Sequence, residues 1–414
     1  MRPLERVVLS ATLLAALPVS AHAAGFAVAE QSATASGTAG AGAARQDDAG
    51  LAWYNPAALA DAGGWRVGFG LTLAHPALSA QAMDGSWQSD SESAWSTPPH
   101  LDVSWAAGPL AVGMALGVPF GSGVSWPADW PGRHEIVRTQ LEDFRAAPFV
   151  AWRLGSLRLA GGVHFDAGRL RVARKLDFID VDGDVAIDMD GRGVGVDASA
   201  FWQAREDVDV GLVYRSRTQL AFSGGADFTA PDAFSEKTAD QNARADMTLP
   251  DQLVLGLSWH RGRWAALADA ELTTWSVNDR LVIDFQNDQT PDPVQENGWT
   301  TTVALRGGGE LRPSARLVLR AGAYYDPTPS PDDKLAPSSP DSTRVGATAG
   351  ATYALTKAWS VDAFYESMWL VRRESTSMES LAASYGGSAQ ILGFGVRWVM
   401  RENPDAATWI PQQQ

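Results

Sequence analysis

Apolar and polar residues alternate at every second position through most of the chain after residue 64. The first such segment places Trp65, Val67, Phe69, Leu71 and Leu73 on one side of a strand. This period predicts strands that separate an apolar surface from a polar one. Fourteen segments follow the pattern, namely 64–73, 101–105, 110–118, 145–154, 157–174, 194–202, 208–222, 251–259, 264–274, 302–311, 316–326, 344–353, 359–367 and 391–400.

The connections between these segments alternate between short turns and long loops rich in Gly, Pro and Asp. An even strand number, short turns at one end and long loops at the other are typical of bacterial outer-membrane barrels, whose apolar face meets lipid. The sequence therefore predicts an all-β fold, a transmembrane antiparallel β-barrel of about 14 strands over residues 64–400. Its short turns lie in the periplasm, and they are 106–109, 155–156, 204–207, 260–263, 312–315 and 354–358.

Tryptophan positions test this prediction independently, because the membrane–water interface favours amphipathic aromatic rings. The chain has 17 tryptophans. A large water-soluble exported β-protein is the alternative that alternation alone leaves open. A girdle at the short-turn ends is predicted from Trp65, Trp105, Trp152, Trp202, Trp259, Trp264, Trp359 and Trp398.

The first 63 residues show no strand alternation. Residues 1–23 combine Arg2 and Arg6, a short apolar run and the small-residue sequence Ala-His-Ala, which predicts a secretory signal peptide. Residues 24–63 are rich in Ala, Gly and Ser and precede the first strand on the periplasmic side. We expect them to fold into the pore as a plug, with a disordered periplasmic tail as the alternative. Residues 401–414 are predicted to be a periplasmic tail.

Composition narrows the function classes. The formal net charge of −15 argues against nucleic acid as a partner, and the absence of cysteine removes disulfides and thiolate chemistry. No motif for nucleotide, zinc or serine-hydrolase chemistry occurs, so we expect no catalytic residue, no metal site and no cofactor. His164 beside Asp166 leaves a membrane-embedded lipid hydrolase open as an alternative, and an open general porin is another.

An acidic stretch, residues 177–190, has partial calcium-loop spacing. Val185 stands at the sixth position counted from Asp180, where a calcium loop needs glycine, and no Glu closes a twelve-residue loop. The stretch is therefore predicted to be a solvated external loop. The loop at 121–141, with Trp126 and Trp130, is expected to collect ligand from outside.

Several stretches resemble the FadL family of outer-membrane transporters for long-chain fatty acids and hydrocarbons. The N-terminal matches are AGF at 24–26, residues 43–49 and Asn55-Pro56-Ala57. The similarity continues in the same order through nearly the entire mature chain. Its later elements are VPFG at 118–121, PADWPG at 127–132, LPD at 249–251, TWS at 274–276 and the stretch 325–344.

The resemblance implies an outer-membrane barrel plugged by an N-terminal hatch at 24–63, with Asn55, Pro56 and Ala57 as the hatch motif. It further implies a hydrophobic pocket and release of ligand by diffusion through a lateral opening at a kinked third strand. Pro and Gly weaken strand pairing, so this opening is expected near Gly113, Gly117 and Pro119.

For the ligand contacts, we expect Arg174 and Arg171 to hold a carboxylate headgroup and Phe26 to take part in binding. These two arginines belong to a basic run with Arg169 and Lys175. The alternatives for this run are solvated charges or contacts with lipopolysaccharide phosphates. Outer-membrane lipid is the expected partner of the barrel. The resemblance implies a cation after the Trp before the tenth strand, as in many members of the family, whereas this chain has Thr300 after Trp299. That difference leaves uptake of uncharged or aromatic hydrocarbons open beside fatty acids.

Overall fold

The computed structural model describes residues 25–400 except 47, 49, 93, 179, 235 and 379, so the predicted signal peptide and C-terminal tail lie outside it. None of the helices in the described part is long and apolar enough to cross a bilayer.

Helices α1 (Ala33–Ser36) and α2 (Leu51–Tyr54) are short, and 3₁₀ turns occupy Pro56–Asp61, Asp232–Phe234, Trp275–Val277 and Asp332–Lys334. The strands are β1 (Gly64–Ala82), β2 (Gln88–Asp90), β3 (Pro99–Ala107), β4 (Leu110–Ser125), β5 (Arg138–Leu154), β6 (Leu157–Asp177), β7 (Asp182–Arg205), β8 (Val208–Arg215), β9 (Thr218–Thr229), β10 (Gln241–Leu249), β11 (Gln252–Arg261), β12 (Trp264–Thr273), β13 (Arg280–Phe285), β14 (Val294–Glu296), β15 (Thr302–Ser314), β16 (Leu317–Asp326), β17 (Arg344–Ala354), β18 (Trp359–Glu374) and β19 (Ala383–Met400).

Together these segments form the fourteen antiparallel strands of one barrel. Four of the fourteen are interrupted and consist of two segments each, which are β2 with β3, β8 with β9, β10 with β11 and β12 with β13. The short β14 pairs only with β13 among the described strands. β1 pairs with β19 from Trp65↔Met400 to Ala82↔Ala383, and this pairing closes the barrel. The predicted all-β barrel of 14 strands is confirmed.

The two faces of the wall differ as the alternation predicts. Outward side chains such as Phe69, Val150 and Phe394 are apolar and more than half exposed. Polar and charged side chains such as Asp269 and Glu310 are buried on the inner face. At the short-turn end of the barrel, the exposed tryptophans are Trp65, Trp152, Trp202, Trp259, Trp264 and Trp359, with Trp105 and Trp398 partly buried.

The acidic stretch 177–190 is not a loop, which corrects the sequence prediction. β6 and β7 pair without interruption from Leu157↔Trp202 to Asp177↔Asp182, so only residues 178–181 form the turn. Val185, Ile187 and Met189 are buried, while the intervening aspartates face outward. The alternation was therefore present in the sequence, but it was masked because its outward positions are acidic rather than apolar.

The interior is divided along the barrel axis. A large cluster of buried apolar residues from β6, β7, β9, β10 and β13 fills the side of the lumen near the long loops. Nearer the short turns, the lumen holds the N-terminal segment, residues 25–63, surrounded by charged and polar side chains of the wall. The candidate ligand cavity lies on the apolar side, near the long loops.

Candidate ligand cavity and wall window

A cavity of about 570 Å³ lies at the long-loop end of the barrel. This volume falls in the range of pockets that bind small molecules, roughly 300–1,000 Å³. The cavity lies between strands β6, β7, β9 and β13 and residues of the long loops. Its apolar lining consists of Ile136, Val172, Leu176, Phe178, Val185, Ile187, Phe228, Phe234, Leu281, Ile283, Phe285 and Val294.

Three basic residues, Arg174, Lys237 and Lys334, also line the cavity, together with acidic residues. Nη1 of Arg174 donates a hydrogen bond to the backbone oxygen of His134 at 3.3 Å. A carboxylate can pair with such cations while its hydrocarbon chain lies against the apolar lining. Sequence reasoning missed the two lysines, because both lie in long polar loops where no period marks an inward direction.

The structure separates Arg171 from Arg174. The two residues are three apart on β6, so their side chains lie on opposite faces of the wall. Arg171 lies outside the cavity, where its Nε is 3.3 Å from Oδ2 of Asp188 and its Nη1 donates to Gln140 at 3.4 Å. Of the two arginines, only Arg174 lines the cavity.

Phe26 does not line the cavity but packs in a buried aromatic cluster. Its ring centroid is 4.8 Å from that of Trp275, 5.2 Å from that of Trp299 and 6.2 Å from that of Phe120. These rings belong to one buried apolar cluster together with part of the cavity lining. The cavity-lining residues that also belong to this cluster include Val185, Ile187, Ile283 and Phe285.

Further along, the N-terminal segment is bound to the wall by polar contacts. Asp269 accepts hydrogen bonds from the backbone N–H groups of Gly42 and Ala43 at 2.9 and 3.0 Å. Nδ2 of Asn55 donates to the backbone oxygens of Ala43 at 2.7 Å and Ala200 at 3.1 Å. Asn55 thus joins two parts of the segment to each other and to β7.

The rest of the Asn-Pro-Ala motif forms a 3₁₀ turn. Pro56 begins the turn, and the backbone N–H of Ala57 donates to Oδ1 of Asn55 and to Oγ of Ser199, each at 3.2 Å. Both Nδ2 and Oδ1 of Asn55 therefore have hydrogen-bond partners, which explains how this polar side chain can be completely buried. The structure brings the three motif residues together as an anchor of the segment on the wall.

The lumen around this segment contains buried ion pairs. Nε of Arg320 is 2.7 Å from Oε1 of Glu310, and Arg45 of the N-terminal segment contacts the same carboxylate oxygen. Nε of Arg397 is 2.7 Å from Oδ2 of Asp362. An apolar chain that entered this part of the lumen would gain no burial against apolar side chains and would disturb paired charges.

The barrel wall is incompletely paired between β3 and β4. Their pairing runs from Ala107↔Leu110 only to Leu101↔Leu116, and no further β3–β4 pair occurs among the described residues. Contact resumes where the backbone N–H of Glu92 donates to the oxygen of Ser125 at 2.8 Å. We call this interval of β4, between Leu116 and Ser125, the wall window.

The N-terminal segment occupies the window from within. Ala27 and Phe120 form an isolated antiparallel bridge. The N–H of Val28 donates to the oxygen of Pro119 at 2.8 Å, and the N–H of Gly121 donates to the oxygen of Phe26 at 2.7 Å. Residues 26–28 thus act as a short extra strand on β4.

Two of the three residues expected at a lateral opening lie at the window. Pro119 lies in it, next to a register shift between β4 and β5 at Gly117 and Phe120. Gly117 is at its edge, and a Cβ there would collide with Oε1 of Gln31. Gly113 lies outside the window, because it pairs with both Ser104 and Phe149.

Two further sites that the sequence singled out are buried. Nε2 of His164 is 3.8 Å from Oδ2 of Asp166, so these two residues are neighbours as expected. His164 is fully buried, with Nδ1 3.0 Å from Asp197 and Nε2 2.8 Å from Thr218, so both ring nitrogens have partners. Trp126 and Trp130 are buried and stack at 4.7 Å, so they pack beneath the loops rather than facing the outside.

The loop between β16 and β17, residues 327–343, covers part of the cavity through Lys334, Ala336 and Ser338. Asp341 in this loop is buried, and burial raises its pKa to about 7 despite the hydrogen bond from Thr328 and the nearby arginines. The stability of this loop is therefore expected to fall as the pH rises from the ordinary pKa of an aspartate to about 7.

The chain is similar to known outer-membrane transport proteins in both sequence and fold. A sequence profile of the family described as "Outer membrane protein transport protein (OMPP1/FadL/TodX)" matches residues 14–399. An outer membrane protein of Neisseria meningitidis serogroup B is 26% identical over 420 residues, 87% of this chain and 89% of that one. The long-chain fatty acid transport protein of Escherichia coli O6:H1 is 26% identical over 182 residues, 41% of each chain. A crystal structure of a FadL homologue of Pseudomonas aeruginosa is similar in fold, with a TM-score of 0.81 at 19% identity and coverage of 91% and 99%.

Proposed function

The chain belongs to the outer-membrane transport protein family OMPP1/FadL/TodX, and from that premise we propose that it takes up long-chain fatty acids by lateral diffusion. The family places the protein in the outer membrane and consists of transporters rather than enzymes. We propose three steps, which are capture in the cavity at the long-loop end, displacement of the N-terminal segment, and exit through the wall window. In this proposal residues 24–63 are the hatch.

Capture is supported by the chemistry of the cavity. Burying a hydrocarbon chain gains about 0.8 kcal/mol per CH₂ group, so a long chain binds without any energy source. Arg174 lines the same cavity and carries a guanidinium that can pair with a carboxylate. The fatty acid named for the Escherichia coli relative has both parts, an apolar chain and an anionic headgroup.

Lateral exit is supported by the contrast between the two routes out of the cavity. The axial route leads through the N-terminal segment and the ion pairs of Glu310 and Asp362. A fatty acid on that route would lose its apolar surroundings. The window at β4, by contrast, contains Phe120, which belongs to the apolar cluster that includes part of the cavity lining. The single observation that carries the proposal is this window, filled from within by residues 26–28.

A reversible cross-link tests the proposal. The chain has no cysteine, so the double substitution Ala27→Cys with Phe120→Cys introduces one defined pair. The hydrogen bonds of Val28 and Gly121 lie on either side of this pair, so Ala27 and Phe120 are not hydrogen-bonded to each other. The Cα atoms of such an antiparallel pair are typically about 4.5 Å apart, which is within the range for a disulfide. We expect oxidation to abolish uptake of a fluorescent C16 fatty acid into proteoliposomes and reduction to restore it.

The single substitution Phe120→Cys is the matched control, because it alters the same aromatic cluster without allowing the bond. Oxidation should leave its uptake unchanged. Full uptake by the double variant, after mass spectrometry has verified the disulfide, would contradict exit through the window.

Uptake of uncharged or aromatic hydrocarbons is the second candidate. It is favoured by Thr300, which stands where the family resemblance leads us to expect a cation, and by the mainly apolar lining of the cavity. Competition between a C16 fatty acid and the C16 alcohol for the cavity separates the two functions. Tighter binding of the alcohol would favour the hydrocarbon function.

The outward faces of the barrel support two further proposed partners. The apolar side chains around the wall are suited to contact outer-membrane lipid. Arg169 and Arg171 lie on the outer face of β6, beyond the apolar band, and both pair with aspartates of β7. We propose that these arginines also meet lipopolysaccharide phosphates, which compete with the aspartates.

A further inference from the structure

One side chain of the N-terminal segment binds the wall window in a manner different from the backbone pairing of residues 26–28. Gln31 is almost completely buried, with 1% of its surface exposed. Its Nε2 donates to the backbone oxygen of Val118 at 2.5 Å, and its Oε1 accepts from the backbone N–H of the same residue at 3.2 Å. Nε2 also donates to the oxygen of Val28 at 3.2 Å.

The double contact has a specific physical reason. Val118 lies in the window at the register shift of β4, where β3 provides no pairing among the described residues. A buried backbone N–H and C=O without partners are costly. The carboxamide of Gln31 has one donor group and one acceptor, as a peptide unit has, so it replaces the missing strand.

Gly117 makes room for this contact. A Cβ at position 117 would collide with Oε1 of Gln31 and with the ring of Trp53. Any side chain at this position would therefore push the carboxamide away from Val118. The glycine at the window edge is explained by the approach of Gln31, in addition to any effect on strand pairing.

We propose that Gln31 is a positioning residue for ligand release, whose carboxamide holds the N-terminal segment in the window until ligand displaces it. This inference rests on the proposed function. The two hydrogen bonds to Val118 must break for residues 26–31 to leave the window. Ligand capture in the outer cavity does not need them to break, so Gln31 controls the rate of release and not the affinity of capture.

The test measures transfer of a fluorescent C16 fatty acid from the loaded, full-length protein to acceptor vesicles, together with its equilibrium affinity. For Gln31→Ala we expect the transfer rate to rise about tenfold, since the net value of two buried hydrogen bonds corresponds to roughly that factor. The affinity should stay unchanged. Gln46→Ala is the matched control, because Gln46 is on the same segment but binds Asp209 away from the window.

The variant Gln31→Glu adds a readout that a merely structural role would not produce. A protonated carboxyl group can donate to the oxygen of Val118 and accept from its N–H, whereas a carboxylate cannot donate. Transfer by this variant should therefore rise with pH, while the wild-type rate follows no such curve. The charged and titratable groups nearby are the same in both proteins. They are Glu30, Asp48 and Tyr54 on the segment, and Arg215, Asp269, Glu271 and Arg306 of the wall, which line a small pocket together with Tyr54.

Gly117→Ala provides a second, independent variant. It should raise the transfer rate as Gln31→Ala does, and the double variant should show no additional increase, because both changes remove the same contact. A transfer rate for Gln31→Ala equal to or below that of the wild type, or a pH-independent Gln31→Glu, would overturn the inference. Absence of transfer by the wild-type protein itself would instead contradict the proposed function.

Discussion

The two halves of the barrel lumen are lined by different kinds of side chain, apolar near the long loops and charged near the short turns. Near the long loops, side chains such as Ile187 and Phe285 surround an apolar cavity. Near the short turns, Glu310 and its arginine partners surround an N-terminal segment of small residues. One end of the barrel is therefore suited to hold an apolar ligand, whereas the other end is not. The wall window lies beside the boundary between them.

The largest expected effect comes from breaking the polar half. Glu310→Leu leaves Arg45 and Arg320 buried near each other without their shared carboxylate. Such a loss costs about 3–5 kcal/mol of stability. Hydrogen exchange of the N-terminal segment should accelerate accordingly, while ligand affinity in the apolar cavity should stay unchanged. Glu310→Gln, which keeps hydrogen-bonding groups, should show a smaller acceleration; equal exchange in all three proteins would mean that the pairs do not hold the segment.

The next effect comes from placing a charge in the apolar half. Ile187 is buried in the cavity lining, so Ile187→Asp should weaken binding of a C16 fatty acid by about 2–4 kcal/mol. Titration of the purified protein measures this loss. The neighbouring residue gives a matched control, because Ala186 faces outward and Ala186→Asp should leave the affinity unchanged. Equal losses for both variants would show that ligand does not use this face of β7.

A smaller effect is expected from the headgroup contact. Arg174→Gln should weaken fatty acid binding by about 1–2 kcal/mol, because a hydrogen bond to a charged partner is lost in a cavity that remains partly open. It should leave the affinity for the C16 alcohol unchanged. Arg171→Gln, on the opposite face of β6, is the control and should affect neither ligand. Equal loss for acid and alcohol would assign Arg174 a packing role.

The smallest effect on ligand handling concerns the loop over the cavity, 327–343. The pKa of Asp341 is raised to about 7 by burial, so the folded loop favours the protonated carboxyl group. Its contribution to loop stability is therefore complete below the ordinary pKa of an aspartate and is lost as the pH rises through about 7. Hydrogen exchange within the loop should accelerate over that interval, and the ligand entry rate should change only a few-fold. Asp341→Asn should remove the pH dependence; an unchanged profile would assign it to another group.

Much of the wall could be predicted from the sequence. The alternation of Trp65 to Leu73 gave β1, and the tryptophans at the short turns marked the barrel end that the structure confirms. The local pattern of apolar and polar residues is enough to predict these strands, because every outward residue contacts lipid whatever its neighbours are. The interval 182–190 was missed for the converse reason, since its outward residues are acidic and the expected apolar face is absent.

The candidate site was less accessible to sequence reasoning. The strand period already places Arg171 and Arg174 on opposite faces of one strand, but it does not show that a cavity lies beside Arg174. Lys237 and Lys334 come from loops far apart in sequence and meet only around the cavity. The role of Gln31 had no local signal at all, because its partner Val118 is 87 residues away.

The sequence by itself determined the barrel, its apolar outer face and the family, because these follow from period, residue type and motifs read in order along the chain. Only the tertiary structure decided where β3 and β4 separate and which residues fill the interval. Hydrogen bonds between distant segments depend on register and on the path of the chain inside the barrel. Neither quantity is encoded in any single stretch of residues.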